Sequence, residues 1–437
     1  MKRKLLLLLI CIVVLAGCNG IGATSTKKET NTLKLYTFNQ NNERADVIQN
    51  VLDQFHSQHP EIKVEMISIN EEEEQLKKLD ELYEGNEQVD LLWLPSSIGI
   101  SEVAISKYVE SLEGYADSLS LSDYYVNLDN LRYDGELYAL PFIYEHYLVY
   151  FNKDMFDQFQ LSYPAMGWSY NDFASIAEKL TNSSAGTVGI ENGPMLYYTI
   201  GGAYSGSTFK EGETQLALDE EAALQGYEML TNLFKNGKID GRIGETLSDG
   251  FSVNPSFRDG TAGMMINSSA LLTSTFEKVP NIGVVSFPRG DQSQQGISTL
   301  EPIAVSTKSN FTKEAIEVLK YLSSSTEARE LMVRSGVTLP TFSDEKVFTA
   351  FENLFADPSF TETVREILNN NKDSLGLAPP TPGYFNVLMK LTAIFMDPGY
   401  SLYSGDMEIR GEFQQQIKSI NEQWMIEQQQ QSIRIMD

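Results

Sequence analysis

"LKLYTFNQNNERADVIQNVLDQFHSQHPEIKVEMISI", residues 33–69, decides the fold class. Its first six residues form a short β-type run. After the polar "NQNNERAD", Val47, Ile48, Val51, Leu52 and Phe55 recur at the spacing of one helical face. Pro60 ends that helix, and residues 62–69 alternate apolar and polar as a half-buried strand does. "EEEEQLKKLDELYEG" then reads as a charged surface helix with Leu76, Leu79 and Tyr83 as its apolar stripe and Gly85 as its stop. Glu71 to Glu74 belong to its solvated face rather than to a catalytic centre. "VDLLWLP" (89–95) is a third strand, apolar throughout. Strand–helix–strand–helix–strand at this spacing calls for an α/β lobe with a largely parallel sheet.

The same pattern returns downstream. "HYLVYF" (146–151) reads as a strand, and "WSYNDFASIAEKLT" as a helix with Ser169 at its N-cap and Phe173, Ile176 and Leu180 buried. "TAGMMIN" (261–267), "NIGVVSFP" (281–288) and "EPIAVST" (301–307) are further short strands, the last followed by the helix "TKEAIEVLKYLSS". Ser324 and Glu327 have capping-box spacing before "ARELMVRSG", which Gly336 ends. Beyond Asp344 the chain turns mostly helical, interrupted by the Pro/Gly-rich "GLAPPTPGY" (376–384), a loop of the kind that carries functional groups. No internal repeat is visible, and the low-complexity "EQQQQ" near the end is expected to fray.

At the other end, Lys2, Arg3 and Lys4 precede an apolar run from Leu5 to Val14, which is shorter than a membrane span. Together with Leu15-Ala16-Gly17-Cys18 this is the pattern of an export signal. The ending resembles the lipobox of bacterial lipoproteins, which implies cleavage before Cys18 and lipid on its thiol. The alternative is an ordinary secretory signal with a chance cysteine. Residues 1–17 are thus expected to be the signal and 18–32 a polar tether holding a body off the membrane. Cys11 and Cys18 are the two cysteines, so the mature body has none for a disulfide, a zinc cluster or a thiol nucleophile. With 437 residues and 42% hydrophobic content the chain can hold itself together by burial, as two lobes. The net charge of −27 makes nucleic acid and direct adhesion to anionic lipid poor partners.

The order of segments resembles the extracellular solute-binding proteins of family 1, receptors of ABC importers related to maltose-binding protein. "FHSQHPEIKVE", "VDLLWLPS", "DGELYALPF", "LVYFNKDMFDQF", "GWSYNDFASIAEKLT", "FRDGTAGMMIN" and "IAVSTKSNFTKEAIEVLKYLSS" carry the likeness collinearly between about residues 33 and 345. The resemblance implies a periplasmic-binding-protein-like α/β fold: two discontinuous lobes with a ligand cleft at the hinge. Chain order puts lobe 1 at 33–140 plus 300–345 and lobe 2 at 146–295 plus 350–437. Crossings are expected near Pro141–Glu145 and Phe287–Glu301. It also implies a non-enzymatic receptor on the outer face of the cell membrane, which hands a small solute, an oligosaccharide, to permease subunits by hinge closure, without a cofactor.

Sugar recognition needs aromatic faces and planar polar groups converging in a cleft. "PFIYEHY" offers Tyr144 and Glu145 at the expected crossing, and Glu145 aligns with a ligand-binding glutamate of the maltose-type pattern; the plainer role is an exposed hinge carboxylate. Trp93 ends an apolar strand and serves either core or site, with Ser96 and Ser97 just beyond it as polar candidates. "MLYYTIGGAYSG" (195–206) resembles the family's aromatic-plus-diglycine segment and nominates Tyr198 and Tyr204, unless they pack into the core. Asn267 and Ser268 follow a strand, but "NSSALL" lacks the tryptophan the family often has there, so Tyr384 of the late loop is the substitute. Phe38 and Asn39, ending the first strand, and Glu301 complete the set.

Two other readings stay open. The same lipoprotein could present its ligand to a membrane sensor. A carbohydrate-active enzyme would need a carboxylate pair such as Glu145 and Glu301, yet no Gly-x-Ser-x-Gly, P-loop or His-Glu-x-x-His motif occurs. His56 and His59 lie near a helix end and are expected on a solvated face, not on a metal.

Overall fold

The computed structural model describes residues 30–38, 42–69, 75–191, 193, 195–240, 255–279, 281–293, 296–355, 357–371, 381–396 and 407–436. The signal, nearly all of the tether, Cys18, Asn39 and most of the 376–384 loop lie outside them.

The first half follows its pattern. Strand β1 (Asn31–Thr37) leads into α1 (Asn42–Gln58), β2 (Ile62–Ser68), α2 (Gln75–Glu84), β3 (Leu91–Trp93) and α3 (Ile100–Ile105). Strands β1–β2 and β1–β3 pair parallel, which requires the crossover helices between them. Ile48, Val51, Leu52 and Phe55 of α1 are buried, and β3 is buried on both faces as a central parallel strand must be. His59 stacks on Phe55 with ring centroids 4.5 Å apart, and His56 Nδ1 lies 2.7 Å from the Ile62 carbonyl. Both imidazoles thus help fasten the helix end instead of merely facing water.

A small hairpin, β4 (Arg132–Tyr133) and β5 (Glu136–Leu137), turns on Asp134 and Gly135, both at positive φ. Asp-Gly suits such a turn because glycine carries no Cβ to clash there. Then comes the long strand β6 (Leu140–Asn152). The sequence pattern marks this strand only from His146; in the structure residues 140–145 belong to it as well. Their ladder partner is supplied from far along the chain by β11, with Ser298 opposite His146 and Glu301 opposite Ile143. Pro302, which lacks an N–H, sits where that ladder shifts register.

The second half runs α4 (Lys153–Gln158), α5 (Tyr170–Leu180), β7 (Val188–Glu191), α6 (Met195–Ser205), α7 (Glu221–Lys235), β8 (Ile239–Asp240), α8 (Pro255–Arg258), β9 (Ala262–Ser268), α9 (Leu272–Lys278) and β10 (Ile282–Val285). Ser169 caps α5 in a reciprocal box with Asp172. Strand β11 (Ser298–Val305) then returns between β6 and β3, followed by α10 (Thr312–Ser324) and α11 (Thr326–Arg334). The helices α12 (Glu345–Glu352), α13 (Pro358–Asn371), α14 (Tyr384–Met396) and α15 (Gln414–Met436) finish the chain.

Two expectations need correction here. The cap of α11 is Ser325, whose side chain accepts from the Ala328 N–H; Ser324 is still inside α10, its hydroxyl donating back to the Lys320 carbonyl at 2.9 Å. The "EQQQQ" segment is helical, since glutamine is a fair helix former and Gln428 docks on the Thr214 carbonyl at 3.2 Å.

The sheet order is β2-β1-β3-β11-β6-β9-β7-β8, with β10 on the far part of β6. Residues 140–146 of β6 pair with β11, and 147–152 pair with β9 and β10. One strand therefore belongs to both α/β lobes. Along it Leu148 and Tyr150 face one buried cluster while Val149 and Phe151 face another, so both faces of the sheet are covered.

Candidate functional site

The polar site lies where β6 and β11 run side by side. Glu145 opposes Thr299 and Glu301 opposes Ile143, so the two carboxylates stand two positions apart on one sheet face. Trp93 opposes Ile303 on that face, and Tyr147, two residues past Glu145, opposes Ser268. The strand period of two thus aligns Trp93, Glu301, Glu145, Tyr147 and Ser268 in a row.

Arg44, in the first turn of α1, reaches into this row. Its guanidinium donates to Glu301 Oε1 at 3.0 Å and to Glu145 Oε1. The Trp93 indole N–H donates to Glu301 Oε2 at 2.7 Å, and the Ser268 hydroxyl donates to Glu145 Oε2 at 2.5 Å. Every carboxylate oxygen thus has a donor, which buried charge demands. Arg44 comes from α1 and Ser268 from the end of β9, and Glu145 on β6 holds both.

The charges differ in exposure: the side chains of Arg44 and Glu145 are 4% and 6% exposed, that of Glu301 21%. Burial pushes the Glu301 carboxyl up to about 7, Arg44 pulling it back and Glu145 pushing it further. Burial acts to lower the Arg44 guanidinium, but Glu145 and Glu301 outweigh it and leave it above its ordinary value. The Tyr147 phenol is raised by burial, with the charge of Glu145 adding to it. Tyr147 is half-buried, and its hydroxyl has no hydrogen-bond partner among the described residues.

The family model for bacterial extracellular solute-binding proteins matches residues 50–347. The chain belongs to that family. Its members are binding proteins, not enzymes, and the fold is theirs. A binding protein of Brucella abortus is 25% identical over 197 residues, 43% of this chain and 47% of its own length. The chain thus spans about half the length of that curated relative. The galactooligosaccharide-binding protein of Bacillus subtilis is 22% identical over 410 residues, 87% of this chain and 88% of its own. Among solved structures, an ABC substrate-binding protein from Listeria monocytogenes in complex with cycloalternan superposes with a TM-score of 0.74 at 20% identity, covering 90% of this chain and 99% of its own.

In this solute-binding protein the remaining sequence candidates are dispersed. Tyr144 faces the other side of β6, its hydroxyl 3.1 Å from Ser298 Oγ, which also meets His146 Nδ1 at 2.7 Å. Phe38 is buried at the end of β1. Ser97 donates to Gln75 Oε1 at 2.9 Å, and Ser96 beside it is half-buried. Asn267 turns its Oδ1 onto the Ser268 N–H at 2.9 Å. Tyr198 meets Thr392 Oγ1 at 2.7 Å and sets its ring edge-on to Phe395. Tyr204 packs near Tyr170, and Tyr384 lies between Phe209 and Trp424. Trp93 is 1% exposed with its ring edge-on to Phe142, so its contribution to the row is its N–H, through Glu301.

Arg44 and Tyr147 escaped the sequence reading. Tyr147 was reachable, since a strand places residue i+2 on the face of residue i. Arg44 carried no such signal: one arginine in a polar stretch names no partner. Among the described residues no group of three or more His, Cys, Asp or Glu is placed to hold a metal, and no helix is long and apolar enough to cross a membrane.

Proposed function

We propose that this protein is a lipid-anchored receptor on the extracytoplasmic face of the membrane. It captures a sugar, an oligosaccharide in the first instance, between its lobes and delivers it to an ABC permease. The observation that carries the reading is the Arg44–Glu145–Ser268 chain: one lobe, the shared strand and the other lobe meet on a single carboxylate. Planar charged groups of this kind bind vicinal hydroxyls, accepting through carboxylates and donating through the guanidinium. The names of the Bacillus relative and of the Listeria complex favour a saccharide, and the lipobox-like ending at Cys18 favours the anchor. Ligand contacts from both lobes bias the hinge toward its closed form, which the permease reads.

Thermal shift of the chain lacking its signal, against a panel of mono- and oligosaccharides, is the test. A true ligand raises Tm by mass action. Stabilisation by peptides and by no sugar overturns the carbohydrate reading; turnover of a glycoside overturns the receptor reading. An N-terminal mass without acyl chains on Cys18 removes the anchor.

A further inference from the structure

The row at the shared strand is unbalanced: two carboxylates, Glu145 and Glu301, face one guanidinium, Arg44. Among the described residues no other basic side chain lies within ion-pair distance of either carboxylate. The surplus charge falls on Glu301, the more exposed of the two carboxylates, while the unpartnered Tyr147 hydroxyl belongs to the next position of the row past Glu145. The aromatic rings do not offset this with stacking surface. Trp93, Tyr198 and Tyr384 are 1%, 5% and 1% exposed, their rings packed against Phe142, Phe395, and Phe209 with Trp424. Recognition at this row is therefore carried by charge and hydrogen bonds, in an environment dry enough to make charge count.

Resting on the sugar reading above, we propose that the solute taken here carries a positive charge: an amino sugar whose ammonium pairs with Glu301 while its hydroxyls meet Glu145, Arg44 and Tyr147. An ammonium restores one cation per carboxylate and brings donors only, which suits oxygens that each hold one donor and can accept a second. A uronate adds a third negative charge to the row and is rejected. The net charge of −27 works in the same direction over longer range, drawing cations toward the surface.

Isothermal titration of the wild-type chain near pH 7 and at low salt, with glucosamine and its β-1,4 dimer against glucose, cellobiose, their N-acetylated counterparts and glucuronate, reads this directly. The amine forms are expected to bind about tenfold more tightly than the neutral ones, the difference between a charge-assisted and a neutral hydrogen bond, and glucuronate not at all. Glu301→Gln is expected to bring amine and neutral forms within about twofold of each other; its far-UV spectrum and Tm report whether it is folded. The wild-type comparison stands even if that variant is not. Equal binding of neutral or N-acetylated sugars, or binding of glucuronate, overturns the inference and leaves the sugar reading intact. Binding of spermidine with no sugar overturns the sugar reading and keeps the cation. Binding of neither sugars nor amines overturns both.

Discussion

Two buried arginines grip the same strand from different elements, and they do it differently. Arg44 holds β6 through a side chain, pairing with Glu145 and Glu301. Arg329, on α11, is fully buried and holds β6 through its backbone, donating to the Phe142 carbonyl, with a second bond at 3.3 Å to the Leu339 carbonyl of the segment after its own helix. With carboxylates beside it the Arg44 guanidinium is held above its ordinary value; without them burial pulls Arg329 down to about 10. Carbonyl oxygens cannot change charge, so the Arg329 contact is a fixed fastening. The Arg44 contact involves Glu301, whose carboxyl is raised by burial to about 7, and on the proposed reading it is here that partners are exchanged with a solute. On the proposed reading, one strand carries scaffold at its Arg329 contact and site at its Arg44 contact.

The sharpest attempt to break it is Arg44→Ala, which leaves two buried carboxylates facing each other. A loss of about 3–5 kcal/mol is expected at neutral pH, smaller at pH 5 where Glu301 takes a proton, together with loss of solute binding; urea unfolding at both pH values checks this. If the loss is the same at both, the coupling to Glu301 is wrong. Arg329→Met should cost about 2 kcal/mol, mainly by taking a donor from the buried Phe142 carbonyl, with an unchanged order of preference among solutes. A reordered preference in titration calorimetry makes Arg329 part of the site.

A pH series sharpens the distinction further. The folded Glu301 carboxyl is raised from 4.5 to about 7, so its contribution to stability is full below the ordinary glutamate range and is lost as pH rises through 7. Relative to Glu301→Gln, the wild type should therefore lose on the order of 2 kcal/mol between pH 5 and 8, read as a falling difference in Tm. Glu102, also pushed up to about 7 by burial, acts with the same sign in both proteins and cancels in the difference. The smallest effect belongs to the scaffold side. Ser325→Ala, which removes the cap of the helix carrying Arg329, should cost about 1 kcal/mol, whereas Ser324→Ala, inside α10, should stay within about 0.5 kcal/mol. Equal losses would return the cap to Ser324.

Local chemistry explains what was readable in advance. The buried face of α1, the alternation in β2, the Ser169–Asp172 box and the apolar β3 depend on neighbours within a few residues, and each formed as its spacing required. The cap of α11 slipped by one residue because Ser324 and Ser325 are adjacent, and only the backbone tells which one leaves the helix. The early half of β6 hid for another reason: its partner β11 lies some 150 positions away, by the 152-residue separation of His146 from Ser298. The tyrosines were the hardest. Tyr198, Tyr204 and Tyr384 have the side chains a sugar site needs, and a core needs the same ones; each is packed among other aromatic rings.

The sequence by itself determined the alternation of strands and helices and the family likeness, because these rest on periodicity and on short contiguous signals. The tertiary structure alone decided that Arg44 meets Glu145 and Glu301, that Trp93 contributes its N–H and not its face, and that two carboxylates share one guanidinium. Those are contacts between residues 101 to 257 positions apart. No local propensity encodes such distances; they follow from a shared strand on which the returning chain lays its partners side by side.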